Sequence, residues 1–232
     1  MVNHKKRKIV FLSGAGISAE SGISTFRDQN GLWENYNVEE VASIEGWYRN
    51  PELVNEFYNQ RRSQLEHCSP NEAHTGIAEL EKEFTVTVIT QNVDNLHERA
   101  GSGHIIHLHG ELTKICSENG KKWVEDIGYR RLTYGEKARD GSLLRPFIVW
   151  FGEEVPLLEQ AIHEVEQADI IVIIGTSLQV YPAAMLYMYA PATSPVYVID
   201  PMELPPMSRK VFHIREKATT GMKLLTEKLL NI

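Results

Sequence analysis

Three groups of residues in this chain have the types and spacing to do chemistry. Gly14-Ala15-Gly16-Ile17-Ser18-Ala19-Glu20 satisfies G-x-G-x-x-A directly after the apolar run Ile9–Leu12. Glycine at 14 permits a tight turn, and glycine at 16 lets the backbone approach a pyrophosphate. A small residue at 19 lets a following helix close on the strand with its amide dipoles toward the anion. Gln91, Asn92 and Asp94 follow a second apolar run. Their amides and carboxylate suit a carboxamide ligand and ribose hydroxyls, although a polar loop with a helix cap would use the same types. His109 is an imidazole that exchanges a proton near neutral pH. It sits near His104 and His107, and His107 and His109 share one face if a strand continues through them, so a metal pair or simple strand-end decoration stays open.

These groups act together only if regular elements carry them to one edge. Short β-branched or apolar runs without alternation read as parallel strands buried on both faces. They are Ile9–Leu12, Phe84–Ile89, Ile105–Leu108, Ile148–Trp150, Ile170–Ile174 and Val196–Ile199, with a weaker one at Val211–Ile214. Helical spacing separates them: Ile77 and Leu80 in His74–Glu83, Leu158, Ile162 and Val165 in Leu157–Gln167, and Met222, Leu225 and Leu229 near the C-terminus. The alternation predicts an α/β fold, a Rossmann-like parallel sheet with helices on both faces. Ligands bind such sheets at the carboxyl ends of the strands, where all three groups lie.

Two stretches break the alternation. Residues 28–71 read as helices and loops, and residues 111–145 as a polar, glycine-punctuated segment; both sit as insertions on the ligand edge. The expected organisation is one domain over 1–232. Its core is about 1–27, 72–110 and 146–232, and its smaller inserted module about 28–71 and 111–145. An ordinary dinucleotide fold needs an acidic residue ending a second strand about 20 positions after the glycines. Glu34 stands there, but Leu32-Trp33-Glu34-Asn35-Tyr36 is not a strand, so a dehydrogenase reading fails.

Composition narrows the partners. With 24 basic and 31 acidic side chains the net charge is −7, which leaves no cation excess for sequence-independent nucleic-acid binding. Hydrophobic residues at 42% and charged residues at 24% suit a folded soluble protein. The apolar stretches Ile170–Ile174 and Ala183–Ala190 fall short of the ~20 residues of a membrane span. Lys5-Lys6-Arg7-Lys8 leads into too few apolar residues for an export signal. No membrane or nucleic-acid partner is expected, and the expected location is cytoplasmic. Two cysteines, Cys68 and Cys116, exclude a disulfide framework and a four-thiolate zinc site.

Further motifs follow in one order. They are Glu20-Ser21-Gly22-Ile23, Thr25-Phe26-Arg27-Asp28, Gly31-Leu32-Trp33, Pro70-Asn71-x-x-His74, and Thr90-Gln91-Asn92-Val93-Asp94-x-Leu96-His97. Beyond these stand Leu108-His109-Gly110, Arg145-Pro146, Val149-Trp150-Phe151-Gly152-Glu153, and Gly175-Thr176-Ser177-Leu178-x-Val180-x-Pro182. In this order and spacing the chain resembles the sirtuins, NAD-dependent protein-lysine deacylases, from Lys8 to about Gly221. Among them it looks most like the compact bacterial type.

The resemblance implies transfer of an acyl group from lysine to the ribose of NAD, giving nicotinamide and O-acyl-ADP-ribose. It implies His109 as the base for the ribose hydroxyls, with Asn92 beside it. The implied NAD site comprises Gly14, Ala15, Gly16, Ile17, Ser18, Ala19, Glu20, Thr25, Phe26, Arg27, Gln91, Asn92, Asp94, Gly175, Thr176, Ser177, Asp200 and Ala218. Within it Arg27 offers a fork of donors to phosphate and Phe26 a flat lid for the reactive ribose. Asp94 serves the nicotinamide carboxamide, Thr176 and Ser177 a ribose or phosphate, Asp200 the adenosine ribose, and Ala218 packs near adenine. The family pattern has asparagine where Asp200 stands.

Acylated-lysine proteins or peptides are the implied partners. Val149, Phe151-Gly152-Glu153 and Val180-Tyr181 resemble paired segments that sandwich an extended peptide as an added strand, which reads little sequence. Tyr58 and Arg61, at i and i+3 on one helix face, match a pair that in some sirtuins binds the distal carboxylate of a succinyl or malonyl chain. The plain alternative is a solvated face, with Arg62 one more surface arginine. Desuccinylation or demalonylation is expected alongside deacetylation, by a monomer. Competing activities are ADP-ribosyl transfer or NAD glycohydrolysis at the same site, or non-catalytic sensing of NAD or ADP-ribose.

Two departures stand out. Sirtuins usually hold a structural zinc on two CxxC pairs between the His-Gly and Arg-Pro motifs. Here residues 111–145 carry Cys116 alone and no histidine, so no zinc is expected. Trp123, Val124, Ile127, Tyr129 and Leu132 are then expected to form the module's own minor core. Phe147 stands where many relatives carry histidine.

Overall fold

The computed structural model of the chain describes residues 6–23, 36–204 and 206–231. Along these residues run strands β1 (Lys8–Ser13), β2 (Thr85–Thr90), β3 (Ile105–His107), β4 (Gly110–Ser117), β5 (Glu125–Asp126), β6 (Leu144–Ile148), β7 (Ile170–Ile174), β8 (Val196–Ile199) and β9 (Phe212–Ile214). The α-helices are α1 (Val38–Val41), α2 (Ile44–Arg49), α3 (Pro51–Glu66), α4 (Glu72–Glu79), α5 (Leu96–Ala100), α6 (Leu158–Glu166) and α7 (Ala218–Leu229).

Six strands form one sheet in the order β3-β2-β1-β7-β8-β9, and every pair in it is parallel. The chain builds outward from β1 through β2 to β3, then returns to β1's other side for β7 to β9. The switch point lies between β1 and β7, and β1 and β7 both end in glycine turns. Burial explains the missing alternation: all of Ile170–Ile174 is fully buried. Ile9 and Phe11 face α4 and α7 through Ile77, Met222 and Leu225. Val10 and Leu12 face α6 and the 3₁₀ stretch Ala183–Tyr189 through Ala161, Val165 and Leu186. Each fully buried aliphatic side chain contributes about 1.5–3 kcal/mol, so these two layers fix the sheet.

Register then places the site. Ser13 is level with Thr90 and with Ile174, Thr90 with His107, and Ile174 with Ile199. The residues just past these, Gly14, Gln91, Leu108, Gly175 and Asp200, therefore stand in one row along the carboxyl edge.

A second, three-stranded antiparallel sheet, β5-β4-β6, lies beside α1, α2 and α3. Polar residues start these helices: Asn37, Ser43 and Asn50 accept from the amides of Glu39, Gly46 and Leu53. Val41, Trp47, Val54, Phe57, Leu112, Ile148 and Trp150 share a separate buried cluster. Here the structure corrects the sequence reading twice. Ile148–Trp150 is no strand of the parallel sheet: Ile148 ends β6, opposite Gly110 of β4, and Trp150 fills the module's core. Trp123 and Val124 are half exposed, so of the expected minor core only Leu132 is fully buried, with Ile127 and Tyr129 partly so.

Polar ties do that work instead. The amides of Asn55 and Asn59 both donate to the Leu132 carbonyl, at 2.7 and 2.9 Å. Trp47 Nε1 donates to Glu118, and Ser117 Oγ to Asp140. Arg145 stacks its guanidinium 3.5 Å from the Trp150 ring centre and pairs with Glu153, which Lys121 also reaches. Cys116 is buried against the Pro146 carbonyl, and burial pushes its thiol up to about 11, so it stays protonated.

Candidate active site

The row of strand ends floors a cavity of about 660 Å³. Its floor is made of two abutting glycine turns. Gly14 N–H donates to the Ile174 carbonyl at 3.1 Å and Gly16 N–H to the Gly175 carbonyl at 2.8 Å. A Cβ on Gly14 would sit 2.7 Å from Thr176 Cβ, and one on Gly16 the same distance from Gly175 Cα. The glycines are thus required by loop against loop, a reason the pyrophosphate argument did not contain. The helix expected after the turn is absent; two 3₁₀ turns, Ala15–Ile17 and Ala19–Ser21, stand there. Ile17 N–H and Ser18 N–H close the first turn on the Gly14 and Ala15 carbonyls, and both residues are buried behind the pocket wall. Ala15, Ala19 and Glu20 face the cavity instead. Ala19 is exposed there, so its small size opens the pocket and does not serve helix packing.

Beneath the floor runs a polar network. Ser18 Oγ donates to Asp94 at 3.0 Å and accepts from Asn92 Nδ2 at 3.2 Å, while Asn92 Nδ2 also reaches the Gly14 carbonyl at 3.1 Å. His74, whose Nδ1 caps α4 with Asn71, turns its Nε2 to Ser18 at 3.5 Å. His97 Nε2 meets Ser13 Oγ at 3.0 Å, and its Nδ1 has no partner among the described residues. Burial holds both rings neutral, pushing His74 down to about 4 and His97 well below its ordinary value. It also pushes the Asp94 carboxyl up, against the bonds from Leu96 N–H and Ser18.

His109 stands in the turn after β3, on the cavity wall. Its Nδ1 lies 3.1 Å from the Gln91 carbonyl, which only accepts, so Nδ1 carries the proton and Nε2 keeps its lone pair. Burial depresses its pKa, with the Gln91 bond opposing. Val149 N–H donates to the His109 carbonyl at 2.9 Å, which joins this wall to the next. Gln91 Nε2 bridges to Thr176 Oγ1 at 3.1 Å, linking the β2 and β7 turns.

The opposite wall comes from the module. Tyr58 and Arg61 both line the cavity, on one face of α3. Trp150 Nε1 donates to Tyr58 Oη at 2.9 Å, and the phenol's own hydrogen has no acceptor among the described residues. Burial holds the phenol up at about 12 and lowers the Arg61 pKa, with Tyr58 and Asp94 opposing that loss. Arg62 is not a spare surface arginine: it is fully buried, donating to the Leu112 carbonyl and to Asn59.

Phe151, Gly152, Val180 and Tyr181 border the cavity, with Phe151 and Tyr181 exposed. The Phe151 amide and carbonyl are already bonded to Ala42 and Ile44, so an added strand must pair with its neighbours. Glu153 also borders the cavity, but its carboxylate is held by Arg145, Lys121 and Trp150 N–H. Asp200 and Ala218 line the far end, where one Asp200 oxygen accepts from Met202 N–H. Glu20 caps α7 by accepting from Thr219 N–H and Oγ1. Thr25, Phe26 and Arg27 lie outside the described residues. Sequence reasoning gave no role to His74 or His97, although both stood inside the motifs, which was the available signal; it offered His107 only as strand-end decoration or half of a metal pair.

A doubly wound parallel sheet with a glycine floor at its switch point, a neutral histidine above it and an inserted module opposite defines an α/β nucleotide-binding enzyme. The Sir2 family model matches residues 14–182, and the chain belongs to this family, the sirtuins. A relative from Bacteroides thetaiotaomicron, named NAD-dependent protein deacylase, is 54% identical over 97% of this chain and 98% of its own. A solved Sir2 homolog–NAD complex superposes with a TM-score of 0.88 at 39% identity, covering 97% of this chain and 90% of that one. A Sir2 protein with a deacetylated peptide and 3′-O-acetyl-ADP-ribose superposes with a TM-score of 0.80 at 30% identity, covering 96% and 94%.

Proposed function

We propose that this chain removes acyl groups from protein lysines by passing them to the ribose of NAD, with one water consumed and nicotinamide, free lysine and O-acyl-ADP-ribose released. The observation that carries the reading is His109, tied by Nδ1 to Gln91 and offering a bare Nε2 beside the glycine floor. Bound NAD supplies an electrophilic ribose carbon with a good leaving group, and hydroxyls that need a base. The chain's residues do the rest. The Gly14–Glu20 turn with Gly175, Thr176 and Ser177 binds the phosphates and adjoining ribose, and Asp200 and Ala218 the adenosine. Gln91 and Asn92 orient the second ribose, Asp94 takes the carboxamide, and His109 Nε2 accepts and returns the hydroxyl proton.

The peptide lies between Phe151–Glu153 and Val180–Tyr181 with its lysine aimed at His109. Tyr58 and Arg61 then meet the end of the acyl chain, and a free phenol O–H beside a guanidinium suits a carboxylate. Succinyl and malonyl groups are therefore substrates alongside acetyl. Arg61→Met is expected to cut kcat/KM on a succinyl-lysine peptide at least tenfold, the loss of one charge-assisted bond, and to spare acetyl-lysine. Equal loss on both peptides would defeat this specificity.

The catalytic unit is the whole of 1–232, working as a cytoplasmic monomer without zinc or a nucleic-acid partner. No helix among the described residues is long and apolar enough to cross a membrane. Incubation with NAD and acyl-peptide, followed by mass spectrometry, tests the function. O-acyl-ADP-ribose supports deacylation; a mass gain on protein, or free ADP-ribose alone, points to transfer or glycohydrolysis. Unchanged NAD points to a sensor.

A further inference from the structure

His107 ends β3, outside the cavity lining, and only 8% of it is exposed. Its Nδ1 lies 3.1 Å from the Asn92 carbonyl and its Nε2 2.6 Å from Glu98 Oε1. A carbonyl and a carboxylate only accept, so both ring nitrogens must donate and the ring is an imidazolium. Asn92 is held at three points: its amide donates to Thr90 Oγ1, its side chain to Gly14 and Ser18, and its carbonyl accepts from His107. Only the third depends on a proton. Around the ring stand Glu98 and the neutral His97 on α5, Asp94 in the preceding loop, and Glu111 on β4, itself paired with Lys114. The carboxylates outweigh desolvation and raise the ring's pKa.

We propose that His107 is a positioning residue for the deacylation, an imidazolium strut from Glu98 to the Asn92 carbonyl that holds the Gln91–Asn92 loop against the glycine floor. The role rests on reading Asn92 as part of the NAD site. His107, Glu98 and Glu111 also bring ligand atoms within 4.8 Å of one another. With both nitrogens donating, the ring has no lone pair for a metal, so the cluster is a charge relay to the loop and not a cation site.

The test follows the ring by NMR and the activity by pH, in the wild type and in Glu98→Gln. Two ring N–H signals are expected at neutral pH, titrating above the ordinary 6.5. Glu98→Gln should move that titration and the alkaline limb of kcat/KM for NAD to lower pH together, by about half a unit or more. His107→Phe should lower kcat/KM for NAD roughly tenfold, the value of one charge-assisted bond, and abolish the shared limb. A wild-type ring that is neutral at pH 7, or whose signals shift on adding Zn²⁺, overturns the proposal. So does a limb that stays fixed while the ring's titration moves. Absence of all deacylation in the wild type would instead strike the function itself.

Discussion

His107 and His109 are two residues apart, yet their surroundings send their protons in opposite directions. His107 faces a carboxylate and gains a proton, whereas His109 faces only a carbonyl and is desolvated. A base must be neutral, so activity falls as pH drops through the His109 pKa, which lies below the ordinary 6.5. The acid limb of kcat/KM is therefore expected below pH 6.5, and His109→Tyr should remove deacylation across the whole range. An acid limb at or above 6.5 would count against His109 as the base. Position after a buried strand made His109 legible in the sequence. The Leu108-His109-Gly110 motif set it apart from His104 and His107, but nothing there showed that His107 and His109 would carry different charges, because the partners that set those charges come from α5 and the β2 turn. Arg62 shows the same limit: a helix reads as solvated until β4 is known to cover it.

At the scale of elements, the strands buried on both faces were the most legible. Ile170–Ile174 and Val196–Ile199 appear with the bounds their apolar runs suggest, since burial on two sides leaves no room for polar residues. Ile148–Trp150 misled for the same reason, because an apolar run reports burial without saying which sheet or core does the burying. β4 escaped notice because Glu111 and Lys114, the only residues in it that are partly exposed, stand three apart and break the period of two expected of a strand. The glycine turns belong to this scale as well. Gly16→Ala must displace Gly175, whose backbone lies 2.7 Å from the added carbon. Overpacking of this kind costs about 1–3 kcal/mol. Calorimetry with NAD should show affinity reduced roughly tenfold or more at that energy, with a lowered Tm; unchanged binding would mean that the seam can open freely.

Across the whole molecule, the groups beneath the pocket also set the acid limit of stability. An unfolded chain protonates His74 near 6.5, while the folded chain resists until about 4. The stability this adds is complete above pH 6.5 and is lost as pH falls to 4, about 3 kcal/mol in all. That is a large share of the ~5–15 kcal/mol typical of a domain. His97 acts in the same sense and Asp94 in the opposite one. Comparison with His74→Gln isolates the term: urea midpoints between pH 4 and 7 should vary less in the variant. Equal slopes would show that His74 is not held neutral.

The floor joins the first half of the sheet to the second with no side chain between Gly16 and Gly175, only an amide 2.8 Å from a carbonyl. A seam of bare backbone has no rotamers left to freeze when a ligand arrives. Its ordering is completed when the two halves of the chain meet, so this part of the pocket is shaped by folding and not by encounter.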